Sequence, residues 1–124
     1  MTDQDVATRL GIQPVPVDPS LKVGIALATV GETPINGLRH SPMGDVSGWY
    51  LWGGTHLASD PDFFAPLHAS HLGEYLPEVI PYLSLPAGYR FLIAPQYEDV
   101  WFDEDLLAEQ WAQRTDVRLH PETE

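Results

Sequence analysis

Cysteine is absent from this 124-residue sequence. That excludes disulfides, thiolate nucleophiles and the cysteine-ligated zinc and iron–sulfur sites. Cations are almost as scarce: six Lys and Arg stand against eighteen Asp and Glu, for a formal net charge of −12. Phosphate backbones and anionic membrane surfaces both require a positive footprint, so neither a nucleic-acid nor a membrane partner is expected. Long apolar runs are missing too. The longest uncharged one, Val23 to Val30, is far too short to span a bilayer. The opening MTDQDVATRL lacks the basic-then-apolar order of a secretory signal, and a cytoplasmic location is the expectation.

Catalytic signatures are also lacking. Gly53-Gly54 is an isolated doublet rather than a phosphate-binding loop. Ser59, Ser70 and Ser84 lack the strained glycine context of a hydrolase elbow. Glu98 and Asp99 point to opposite faces if they lie on a strand, which makes them poor partners for acid–base work. No cofactor is implied.

What the chain does have is apolar content: 44% of residues, enough to bury a core and well clear of disordered composition. Its length predicts one domain over 1–124, with an N-terminal extension (1–20), a globular core (21–113) and a loose tail (114–124). The fold class expected is α+β. An antiparallel sheet of about four strands would carry a Pro-interrupted helical segment on one face and a short C-terminal helix.

Leu21 to Val30 reads as a central strand, and Gly48 to Gly53 as a second with Trp49 and Leu51 on one face and Tyr50 and Trp52 on the other. Between them, Gly31 to Ser47 reads as a long connection in which Asn36-Gly37 is a turn signal. Pro77 and Pro81 divide Leu72 to Leu85 into two short or kinked helical pieces. Pro86-Ala87-Gly88 suits a type I turn into Tyr89–Ala94, which pairs with Tyr97–Phe102 across Pro95-Gln96. Asp103 is a natural cap for a helix that fades near Gln113.

Three constellations carry functional hints. Arg39 and His40 sit in the Gly31–Ser47 connection, either as a binding loop or with Arg39 paired to a local acid. His68 and His71 have the i, i+3 spacing of a shared helical face and, with His56, would found a small metal-dependent enzyme if they converged. Against that stand Pro66 and the helix start expected at Ser70, which put His68 outside the helix. Third, Glu98, Asp99, Asp103, Glu104 and Asp105 crowd around Trp101. That cluster is either a solvated edge and helix start or a surface complementary to a basic protein, with Trp101 as its anchor.

The segments PINGLRH, SGWYLWGG, FFAPLHASHL, LPEVIPYLSLPAGYRFLI and YEDVWFD together resemble a small bacterial domain family. It is related to the immunity proteins of polymorphic toxin systems, the class numbered thirty-three. The resemblance spans roughly Val23 to Leu107 and leaves Met1 to Ser20 outside it. It implies an α+β fold and a non-catalytic, toxin-neutralising role, and it carries over no catalytic residue. The expected partner is a basic toxin domain. The rival readings are the metal-dependent enzyme on His56, His68 and His71, and a stand-alone housekeeping domain.

Overall fold

Alternation of side chains along Trp49-Tyr50-Leu51-Trp52 sets the layering of the molecule, because both faces of that strand are apolar and both must be covered. The computed structural model describes residues 5–55 and 63–107. Its strands are β1 (Lys22–Ile25), β2 (Ile35–Arg39), β3 (Val46–Gly53), β4 (Ala65–His68), β5 (Tyr89–Ala94) and β6 (Tyr97–Phe102). They form a six-stranded sheet in the order β4-β1-β3-β2-β5-β6. β1 and β3 run parallel, and every other neighbouring pair is antiparallel. No helix among the described residues is long and apolar enough to cross a membrane.

The sheet is therefore larger than the expected four antiparallel strands, and mixed. One added strand, β2, lies inside the stretch read as a connection. Asn36-Gly37 does not turn there. The Asn36 amide donates to the carbonyls of Trp52 (3.3 Å) and Gly54 (2.8 Å), tying β2 to the end of β3. Gly37 lies opposite Phe91, and a Cβ at that position would fall 2.3 Å from the Phe91 ring. The glycine is there to admit an aromatic ring over the backbone. The other added strand, β4, pairs with β1, which ends at Ile25 rather than Val30 and passes into a 3-10 turn at Leu27–Thr29.

The larger core lies on one face of the sheet. Val23, Ile25, Trp49, Leu51, Phe91 and Ile93 meet Leu72, Leu76, Val79, Tyr82 and Leu85 there. As the prolines require, the covering layer is two 3-10 segments, Ala69–Glu74 and Pro77–Tyr82. Pro77 opens the second, where its missing N–H costs nothing. Ile80, between Val79 and Pro81 in that second segment, is exposed. A short helix, α1 (Val6–Arg9), completes the layer by burying Val6 and Ala7, so the segment expected as an extension supplies part of the core.

Ala26, Leu38, Trp52, Phe64 and Leu106 form the smaller core on the opposite face. Leu106 comes from the 3-10 turn Glu104–Leu107, which stands where a longer C-terminal helix was expected. The remainder of that helix, to Gln113, and the 114–124 tail lie outside the described residues.

The β5–β6 hairpin is paired from Tyr89 with Phe102 to Ala94 with Tyr97, as the alternating aromatics require. The turn before β5 differs from the type I expected. Tyr89 N–H donates to Pro86 O at 3.2 Å and Gly88 has φ +97°, which puts Gly88 at the third position of a type II pattern.

Phe91 is 1% exposed, stacks on Tyr82 with ring centroids 4.6 Å apart and covers Gly37. Phe91→Ala is expected to cost about 3–5 kcal/mol in denaturant melts. A loss under about 1 kcal/mol would remove Phe91 from the core.

Candidate functional site

Among the residues singled out by sequence are a buried arginine with its half-buried histidine neighbour, a paired carboxylate and an exposed face. Arg39 is buried, 2% exposed, at the end of β2 rather than in a loop. Its guanidinium donates to four backbone carbonyls: Val15 (2.8 Å), Leu85 (2.8 Å), Ser47 (3.2 Å) and Leu83 (3.4 Å). It also lies 5.8 Å from the centre of the Trp49 ring, whose indole N–H donates to the same Leu83 carbonyl at 3.0 Å. Burial pushes its pKa down from the ordinary value, but an arginine so placed keeps its charge. No carboxylate among the described residues forms a salt bridge with it. Its work is to join the N-terminal segment, β3 and the turn before β5.

His40 follows on the opposite side of the backbone. Its Nδ1 lies 3.0 Å from the Leu106 carbonyl oxygen and therefore carries the proton and donates. Burial lowers its pKa against the pull of that hydrogen bond, with the positive charge of Arg90 adding to the depression, so the ring is neutral at neutral pH. Gly48, at φ +97°, keeps the chain clear of His40: a Cβ there would stand 2.0 Å from the His40 carbonyl oxygen.

Glu98 and Asp99 take opposite faces of β6, as alternation requires. Glu98 faces α1 and accepts from Tyr82 Oη at 2.5 Å and from Arg9 Nη2 at 2.6 Å. These bonds, Arg9's foremost, hold its carboxyl below the usual carboxylate range. The Tyr82 phenol is pushed far above its ordinary value by burial and by its bond to Glu98, and remains a donor at physiological pH. An open groove of about 720 Å³ runs over this triad, walled by Val6, Pro81 and Ile93.

Asp99 shares the other face with Tyr97 and Trp101. Arg90, opposite Trp101 in the ladder, lies 5.5 Å from the centre of its ring and pairs with Asp103 at 3.1 Å. Asp103 also accepts from the Asp105 N–H at 3.1 Å, capping the turn that carries Glu104 and Asp105 into solvent. Tyr97, Trp101 and Phe102 are 55%, 37% and 50% exposed, an unusual concentration of aromatic surface on one six-residue strand. Tyr97 and Phe102 were not singled out by sequence. The missing signal was the position of β6 at the rim of the sheet, which alternation alone does not show.

His68 ends β4 and His71 lies in the following 3-10 segment, with ring centroids 6.4 Å apart and His71 3.4 Å from Glu74. His56 lies outside the described residues. Among the described residues no three His, Cys, Asp or Glu side chains group as a metal site.

The six-stranded sheet thus ends in an outer strand, β6, that presents exposed aromatic and acidic side chains. The family model of the Imm33-like domain matches residues 2–103, and the chain belongs to that family. The match takes in the N-terminal segment that the motif resemblance left out, and it carries the coarse role of an immunity-protein-like domain. No curated protein and no solved structure matches the chain.

Two expectations follow from these hydrogen bonds. Arg39→Met would strand several buried carbonyls and is expected to cost about 3 kcal/mol or more in denaturant melts; a loss under about 1 kcal/mol would show that the carbonyls find other donors. Glu98 contributes stability that is complete above its unfolded pKa, near 4.5, and is lost as pH falls through its lower folded value. Melts over about pH 3 to 7 should therefore show wild type and Glu98→Gln diverging above that window and converging below it, whereas a constant difference would count against the ion pair.

Proposed function

We propose that this domain neutralises a basic toxin domain in the bacterial cytoplasm by covering it with the outer face of β6 and the turn that follows. The observation that carries the reading is the exposed strand itself: Tyr97, Asp99 and Trp101 on one face, continued by Asp103, Glu104 and Asp105. Acidic residues at the rim of such a surface steer a cationic partner into encounter, while an aromatic anchor slows its escape. Trp101 suits the anchor's part because Arg90 already holds its ring in place, so little rotamer freedom remains to be lost on binding. Arg39 and His40 are held within the fold and contribute by fixing the sheet and the Glu104–Leu107 turn.

Kinetics with the protein encoded by the neighbouring gene test this reading. Asp105→Lys should slow association, with the effect shrinking as salt rises and the Debye length contracts. Trp101→Ala should speed dissociation by about thirtyfold, the equivalent of a hot spot of about 2 kcal/mol. Salt-independent binding, unchanged by both substitutions, would move the interface away from β6.

A further inference from the structure

Two strands form the rims of the sheet, and they are not alike. β4 has four residues, and Pro66 among them has no N–H to offer an incoming chain. β6 has six residues without proline or glycine, and its pairing with β5 is unbroken along its length. Among the described residues no strand occupies its outer side.

The two-residue loop Pro95-Gln96 decides which backbone groups face outward. Ala94 and Tyr97 close the hairpin as a hydrogen-bonded pair, and such pairs alternate along an antiparallel ladder. Asp99 and Trp101 therefore turn their N–H and C=O toward β5, and the Asp103 N–H, donating to Gly88 O at 2.7 Å, keeps the same phase. Glu98, Val100 and Phe102 turn theirs to the open rim.

We propose that the partner docks there by adding a strand to β6. This rests on the toxin-binding reading and specifies its mode: backbone hydrogen bonds supply the register, and neighbouring side chains supply selectivity. The occupant is a strand rich in Lys and Arg. Pairing β6 with β6 of a second copy would bring together the acidic residues of two chains, each with a net charge of −12, and like charges across a ladder repel. A basic strand instead meets Asp99, Asp103 and Glu104, with Tyr97 and Trp101 on one face and Phe102 on the other to pack against its side chains.

Residue-resolved amide hydrogen exchange on the full chain tests the mode, first alone and then with the purified protein encoded by the neighbouring gene. In the free chain the Asp99 and Trp101 amides should exchange slowly and those of Glu98, Val100 and Phe102 rapidly. In the complex the latter three should slow by about tenfold or more. Val100→Pro removes one outward donor and leaves the β5 ladder its bonds, so it should weaken binding by about tenfold while Asp99 and Trp101 stay protected. Tight binding that leaves the three outward amides fast would overturn strand addition and spare the side-chain reading. Their protection in the dilute free chain would place a segment of this same chain on the rim, and protection that grows with concentration would make a second copy the occupant; either overturns the proposal. No binding at all would overturn the toxin-binding reading with it.

Discussion

A single buried guanidinium ties the fold together. Arg39 reaches carbonyls from the N-terminal segment, from the end of the 3-10 layer and from the start of β3, segments far apart in the chain. A buried charge is tolerable only when its donors are satisfied, and the carbonyls are tolerable only because the charge is there. The requirement runs in both directions, so these segments can settle only together. Trp49 reinforces the arrangement from the same side by donating to Leu83 O. The opposite face of the sheet is closed more modestly, by Phe64 edge-on to Tyr50 and Trp52 and by Leu106 near His40.

That division of labour bears on recognition. The β5–β6 hairpin is held from one side by Phe91, Tyr82 and the Arg9–Glu98 pair, and at its end by Asp103 bonded to both Gly88 and Arg90. The outer strand is thus supported on its core face and at its terminus, while its aromatic side chains are left in water. Rigid support under an exposed surface is what keeps the entropy lost on binding small.

Local pattern was legible in the sequence wherever it was dictated by local geometry. The β5–β6 hairpin, the two apolar faces of β3 and the division of the helical layer at Pro77 all follow from alternation or from a missing N–H. β2 was not legible, because Asn36 and Gly37 answer to distant residues. Asn36 serves the carbonyls of Trp52 and Gly54, and Gly37 makes room for a ring more than fifty positions on. Read locally, the same two residues spell a turn. Arg39 misled for a related reason: a lone cation in an acidic chain suggests a carboxylate partner, yet its partners are carbonyls, which every residue carries and no composition reveals. The acidic cluster was seen as one surface, but its split between the two faces of β6 left Glu98 facing Tyr82 and Arg9, and only the remainder outward.

The proline in β4 bears on stoichiometry. Open-ended assembly of sheets requires each copy to accept a strand at one rim and offer one at the other, so that the contact repeats without closing. Pro66 deletes a donor from one rim of this molecule while the other rim keeps its full set. Pro66 therefore disfavours head-to-tail stacking of successive copies through these two rims, and a strand added at β6 in the proposed mode would find no matching rim at β4 from which a fibre could grow.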